Sequence, residues 1–219
     1  MEKRIPTGAG LGGGSSNAAS TLTALNILFE KKLSSKQLQK MAEEIGSDVP
    51  FFIQGGTAIG EGRGEILTPV EMETDYWVLL VCPDVSVSTA WAYSQARIVL
   101  TRDIKMAIFE SLFQNRDLRS LRDSLKNELE DVVFQRHPLL KLFKENLYKW
   151  DAFYASMSGS GSSVLGLFHR QEQAEAARAF FSIDKRVKTF LCEPVRSLAR
   201  ASRVSEGKFP EHETAKRKE

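Results

Sequence analysis

Apolar positions along this chain recur with two different periods, and the switches between them mark out its elements. In "SSNAASTLTALNILF", Ala18, Leu22, Leu25 and Leu28 fall at helical spacing. "SSKQLQKMAEEIG" predicts a second helix: Ser34 or Ser35 can cap its start, and Gly46 sits where a helix closes. "SDVPFFIQGGTAIGEGRGE" begins apolar and dissolves into glycine-rich turns. "DYWVLLVCP" is a continuous apolar run, a buried strand halted by Pro83. From Ser88 to Leu147 the pattern is helical, with breaks near Thr101, Asn115 and His137–Pro138. "AFYASMSGSGSSVLGLF" reads as strand, glycine turn, strand. "QEQAEAARAFFSI" is an amphipathic helix and "RVKTFLCEPV" a closing strand.

The later part therefore runs strand, helices, strand, strand, helix, strand, the order of a split β-α-β-β-α-β unit. The earlier part has helices but almost no strands; residues 1–5 read as the end of one. Amphipathic helices need a partner surface, so a sheet is expected to be missing from this stretch. The fold class is α+β. Residues 1–75 form one domain, 76–195 a second, and 196–219 a polar, basic, flexible tail. No internal repeat is present.

Composition narrows the field only a little. The 219 residues have the apolar and charged fractions of an ordinary globular protein, and a net charge of +2 points to neither nucleic acid nor an anionic membrane. No apolar run approaches the roughly 18 residues of a membrane span. "MEKRIPTGAG" lacks a signal-peptide apolar region and an Arg/Ser-rich transit helix. Cys82 and Cys192 lie inside apolar runs and read as two reduced core thiols of a cytoplasmic protein. Dispersed histidines and the lack of a CxxC pair argue against a zinc site.

The chemistry begins with "PTGAGLGGGSSNAA", Pro6 to Ala19. Gly8, Gly10 and Gly13 fit GxGxxG literally. A dinucleotide fingerprint, however, needs a buried strand before it and an acid after the next strand, and neither is evident. No Gly-Lys-Ser/Thr occurs, so the P-loop form fails as well. What remains is a glycine loop opening a helix. Glycines let successive amides turn inward together, and the helix N-terminus adds partial positive charge. Ser15 and Ser16 add hydroxyls for phosphate oxygens or a hydrated magnesium ion. The alternative is a flexible linker, against which Leu11 and the tight junction with "NAAS" stand.

"IPTGAGLGGGSSNAA" closely resembles the ATP-binding motif of the GHMP kinases. "IGSDVPFFIQGGTAIGEGRGE", "VSVSTAWAYS", "NELE" at Asn127–Glu130 and "MSGSGSSVLGLF" are similar to further blocks of that family, in order, over about residues 3–195. The resemblance implies a two-domain GHMP architecture with a ferredoxin-like C-terminal domain. It implies Mg²⁺-dependent transfer of the γ-phosphoryl of ATP to a small-molecule alcohol, by a monomer or homodimer. The branch most similar acts on the 2-hydroxyl of 4-diphosphocytidyl-2-C-methyl-D-erythritol, a step of non-mevalonate isoprenoid synthesis.

Residue by residue, Pro6, Thr7, Gly8, Ala9, Gly10, Leu11, Gly12, Gly13, Gly14, Ser15 and Ser16 are implied to hold ATP, with Ser16 at the metal. Ser158, Gly159, Ser160 and Gly161 are implied to support the phosphate site, although a plain hairpin turn explains them as well. Gly55, Gly56 and Thr89 are implied substrate contacts; Thr89 reads equally as a helix cap, and Trp91 and Tyr93 as core rings. Asp48 reads two ways that are compatible. Asp-Val-Pro is a good helix start, with Asp as N-cap. The family likeness makes it the carboxylate that takes the proton of the accepting hydroxyl.

The family's "PAKINL" segment, whose lysine neutralises the transferring phosphoryl, has no counterpart in these residues, nor does "DGYH". Lys3 lies just before the glycine loop and does not replace that lysine. The expectation is a family member lacking its first portion, with weak or no kinase activity. The rival readings are another small-molecule kinase of the family, a non-catalytic nucleotide-binding module and, weakest, a dinucleotide oxidoreductase.

Overall fold

A computed structural model describes residues 4–70, 75–96, 122 and 125–194. The breaks expected near Thr101 and Asn115 and the basic tail from Arg196 lie outside the described residues.

Three helices open the fold: α1 (Gly13–Leu28), α2 (Ser35–Ile45) and α3 (Val49–Gln54). Helix α1 starts inside the glycine run, earlier than its apolar period indicates, because Gly12 at φ 62° turns the chain into the first helical turn. Helix α2 begins at a complete capping box: Ser34 Oγ accepts from Gln37 N, and the Gln37 side chain accepts from Ser34 N. The loop between them is tied by Asn26, which donates to Leu33 O at 3.2 Å and accepts from Leu33 N at 3.0 Å. Ala19, Ala42 and Val49 make a small shared core, against which Ala18, Leu22, Phe52 and Ile53 pack. Leu25, Ile27, Leu28 and Phe29 stay exposed. Ile5 belongs to no strand among the described residues.

The glycine-rich stretch after α3 is more ordered than a set of turns. It forms an antiparallel hairpin of β1 (Ala58–Glu61) and β2 (Ile66–Pro69), paired from Ala58↔Pro69 to Glu61↔Ile66. Strands of four residues, here AIGE and ILTP, are too short to carry a readable alternation, which is why periodicity misses them.

The larger part is built on β3 (Trp77–Pro83), β4 (Tyr154–Met157), β5 (Val164–Phe168) and β6 (Val187–Cys192). They form one sheet in the order β4-β5-β3-β6, every neighbouring pair antiparallel. The interleaved helices are α4 (Thr89–Gln95), α5 (Glu130–Arg136), α6 (Pro138–Lys149) and α7 (Gln171–Phe181). This is the expected split β-α-β-β-α-β unit. The break at His137–Pro138 is observed between α5 and α6, where proline accepts a first-turn position.

Burial alternates along β5, with Val164, Gly166 and Phe168 inside. That face packs under α6 and α7, with Leu79, Val81, Leu140, Leu147, Ala174 and Ala177 fully enclosed. Each large apolar side chain buried this way contributes on the order of 2 kcal/mol. Cys82 is buried in this unit as expected, but Cys192, at the end of β6, is exposed. The apolar run "KTFLC" ends at the sheet's edge, so its last residue is not a core thiol.

Candidate active site

The glycine loop lies across the tip of the β4–β5 turn. Gly8, Gly10 and Gly12 have φ of 67°, 72° and 62°, alternating with Ala9 and Leu11, which are not at positive φ. Such alternation turns successive amides toward one side and makes a concavity for anions. Helix α1, 16 residues long, begins directly behind it. Gly10 must be glycine for a second reason. A Cβ there would stand 2.0 Å from Ser158 O and 2.9 Å from Gly161 O.

The turn "SGSGSS" is a junction and not a plain hairpin, because each of its serines reaches a different part of the chain. Ser158 Oγ donates to Gly10 O at 2.8 Å. Ser160 Oγ and Thr89 Oγ1 share a hydrogen bond of 2.8 Å. Ser162 Oγ donates to Val85 O. Ser163 Oγ donates to Cys82 Sγ at 3.1 Å, and Ser163 N donates to Ala9 O at 3.2 Å. Burial pushes the Cys82 thiol up, and the Ser163 bond only partly offsets this, so the sulfur is a protonated packing group. The loop and the turn are thus fastened to each other and to the start of α4.

A cavity of about 440 Å³ opens above this junction. The backbone from Ile5 to Ser15 lines it, facing Asp48, Thr89, Tyr93, Gly159 and Ser160. A second cavity, of about 390 Å³, adjoins it and shares Gly10, Leu11, Gly12 and Asp48. Its other walls are Phe51, Phe52, Ser158 and the hairpin residues Ala58, Gly60, Gly64 and Leu67.

Asp48 occupies the N-cap position of α3, with Pro50 in the first turn, but its side chain makes no capping hydrogen bond. Asp48 is shared by both cavities, with Gly10, Leu11 and Gly12. Thr89 is not a cap: Ser88 Oγ does that by accepting from Trp91 N at 3.3 Å. Thr89 instead lines the larger cavity, with its Oγ1 bonded to Ser160 Oγ. Trp91 packs on the core as expected and carries Arg136 over its ring. Tyr93 does not; it is 54 % exposed and lines the larger cavity. Tyr93 directly follows core-facing Ala92, about 100° further around the helix, so an aromatic in "TAWAYS" is not enough to assign its face.

Among the other residues of interest, Ser15 lines the larger cavity, while Ser16 lines neither and its amide donates to Gly12 O at 2.9 Å. Gly55 and Gly56 sit at the C-terminal end of α3 and line neither cavity; Gly60 and Gly64 take that place. Gly161 lies beneath the loop, against Gly10. Sequence reasoning did not single out Phe51, Phe52, Ser162 or Ser163 as parts of this site, and it reached Gly60 and Gly64 only as members of the block "IGSDVPFFIQGGTAIGEGRGE". Phe52 meets Gly12, Ser162 meets Val85, and Ser163 meets Cys82 and Ala9, partners far away in the chain that local pattern does not carry.

A glycine loop at a helix N-terminus, seated on a split β-α-β-β-α-β unit and faced by Asp48, is the arrangement of a GHMP-type α+β fold, and the chain belongs to the GHMP kinase family. The family profile "GHMP kinases N terminal domain" matches residues 1–56, and "GHMP kinases C terminal" matches residues 109–184. Within the family, the chain is 39% identical over 189 residues to the 4-diphosphocytidyl-2-C-methyl-D-erythritol kinase of Alkaliphilus metalliredigens (strain QYMF), covering 84% of this chain and 63% of that protein. A crystal structure of 4-(cytidine 5'-diphospho)-2C-methyl-D-erythritol kinase superimposes with a TM-score of 0.74 at 30% identity, over 88% of this chain and 68% of that one. Homoserine kinase from Cytophaga hutchinsonii shares the fold, with a TM-score of 0.61 at 18% identity over 89% of this chain and 68% of that one. The chain spans 63% to 66% of the lengths of the first two curated relatives it matches. No helix among the described residues is long and apolar enough to cross a membrane.

Proposed function

We propose that this chain transfers the γ-phosphoryl group of ATP to the 2-hydroxyl of 4-diphosphocytidyl-2-C-methyl-D-erythritol. The observation that carries the reading is the position of Asp48, free of any capping bond, where the cavity under the glycine loop meets the cavity under the β1–β2 hairpin. The loop amides from Gly8 to Ser15 hold the triphosphate, since their N–H groups and the α1 N-terminus favour anionic oxygens. Asp48 receives the proton of the attacking hydroxyl. Thr89 and Tyr93 offer the acceptor a hydroxyl and an exposed ring face on the opposite wall. The curated relatives named for this kinase support the choice of acceptor.

Magnesium fits this site modestly. It keeps most of its waters and is usually held by one or two protein oxygens together with substrate phosphates. The Ser15 hydroxyl, on the cavity wall, is proposed to hold it, rather than Ser16, which lines neither cavity, and no group of three or more His, Cys, Asp or Glu is present among the described residues to hold it otherwise. Bound there, the ion neutralises phosphate charge.

One observation favours a second reading, nucleotide binding without turnover. Phosphoryl transfer needs positive groups around the moving phosphoryl, and no Lys or Arg is among the described residues lining either cavity. Radiolabelled transfer from ATP, measured beside binding of a non-hydrolysable ATP analogue, separates the two. The expected result is weak turnover that Asp48→Asn lowers by about 10²- to 10⁴-fold, with analogue affinity preserved. Equal turnover by the variant overturns the role of Asp48. Binding without turnover by the parent chain selects the second reading, and turnover on homoserine or mevalonate selects a different acceptor.

A further inference from the structure

The segment Asn127–Glu130 stands outside both cavities, yet it holds the turn on which the glycine loop rests. The carboxamide of Asn127 does two separate things. Its Oδ1 accepts from Leu129 N at 3.0 Å, a local turn that leads into α5. Its Nδ2 donates across the fold, to Met157 O at 2.9 Å and Gly159 O at 2.8 Å. The amide's orientation is dictated by these partners: reversed, it would set an acceptor against two carbonyls and a donor against an N–H. Three residues on, the Glu130 carboxylate is buried. It accepts from Met157 N at 2.8 Å and Ser156 Oγ at 3.1 Å, and pairs with Lys144 Nζ at 2.5 Å.

Met157 is thus held by both its N–H and its carbonyl, and the next carbonyl but one is held as well. The residue between the two held carbonyls is Ser158. Its Oγ donates to Gly10 O, and its own carbonyl is the atom that fills the space beside the Gly10 Cα. Position is passed from Asn127 to Ser158 and from Ser158 to Gly10 through atoms in direct contact.

We propose that Asn127 is a positioning residue for the phosphate loop: its paired donations to Met157 O and Gly159 O fix Ser158, and Ser158 fixes the height and tilt of Gly10. This rests on the reading of that loop as the triphosphate site. Asn127 itself lines neither cavity, so its effect on a nucleotide is exerted through the turn it holds, Ser158 and Gly159, and through the loop seated on that turn.

Two substitutions separate this role from that of a simple helix-start residue. Asn127→Asp keeps the acceptor for Leu129 N and loses both cross-fold donations. Asn127→Ala loses everything. Binding of AMP-PNP with Mg²⁺ to the full 219-residue chain is measured by calorimetry, and amide hydrogen exchange is followed over residues 8–12 and 158–161 without nucleotide. Both variants are expected to bind about tenfold more weakly and to exchange faster in both segments. Ser158→Ala, which cuts the link one step nearer the loop, is expected to reproduce the binding loss. The Asn127→Ala/Ser158→Ala double variant should then lose little more than either single one.

Parent-like binding by Asn127→Asp reduces Asn127 to a turn former and overturns the proposal, as do fully additive losses in the double variant. Unchanged exchange over residues 8–12 in the folded Asn127→Ala protein overturns it without reference to any ligand. Failure of the parent chain to bind AMP-PNP removes the triphosphate reading itself, and the proposal with it.

Discussion

A methyl group at residue 10 and one at residue 14 meet very different surroundings, although both glycines line the larger cavity. At Gly10 the added carbon would stand 2.0 Å from Ser158 O in a backbone at φ 72°, whereas at Gly14 nothing lies within 4 Å. Gly10→Ala combines left-handed strain with a collision against fixed backbone, and the expected cost is about 2–4 kcal/mol, with loss of nucleotide binding. Gly14→Ala sits in the first turn of α1, where alanine is the better helix former, and should be neutral or stabilising by up to about 1 kcal/mol. Thermal melts with and without AMP-PNP read both effects. The spacing of Gly8, Gly10 and Gly12 and the helix behind them make this loop legible from sequence. The reason Gly10 cannot change is not legible, because the atom that forbids it belongs to Ser158. The same limit applies to Asp48: "SDVP" announces a helix start correctly, but only the fold shows that the carboxylate makes no cap and is left for the cavity.

At the scale of elements, the joint of α5, α6 and β4 depends on one buried carboxylate. Glu130, 4% exposed, serves Met157 N, Ser156 Oγ and Lys144 Nζ together. Glu130→Ala orphans two buried donors and leaves a cavity, for an expected loss of about 2–5 kcal/mol. Lys144→Ala should cost less, because the carboxylate keeps its other two donors and the Lys144 side chain is already 23% exposed. Urea denaturation of the two variants ranks them, and a larger loss for Lys144→Ala would show that the charge pair dominates over the backbone anchor. The split β-α-β-β-α-β order was readable because "WVLLVCP" and "SSVLGLF" are dense apolar runs closed by proline or opened by glycine. The β1–β2 hairpin was not readable. Its strands are four residues each, their burial does not alternate, and their function is to bring Gly60 and Gly64 to a cavity wall rather than to build core.

Over the whole molecule, buried apolar mass is divided unevenly. Among the described residues, the sheet unit encloses Leu79, Val81, Leu140, Leu147, Val164 and Phe168 in one continuous core, while the core cluster shared by α1–α3 is Ala19, Ala42 and Val49. We propose that these regions behave as separate cooperative units, divided near residue 75 as the order of elements along the sequence suggests. Local stability follows buried contact, so the unit with the smaller core should open at lower free energy. Native-state hydrogen exchange should show protection of β3 and β5 amides near the global limit and of α1 amides well below it. The glycine loop crosses this divide, since Ser158 and Ser163 N grip Gly10 O and Ala9 O from the sheet side. A triphosphate held by the loop amides and the α1 N-terminus would therefore stabilise the weaker unit by mass action, about 2.7 kcal/mol at a hundred times its Kd. AMP-PNP with Mg²⁺ should slow exchange in α1 far more than in β3 or β5. Equal slowing throughout would mean that the chain opens as one unit. No slowing in α1 at saturating ligand would mean that the helix terminus does not hold the phosphates.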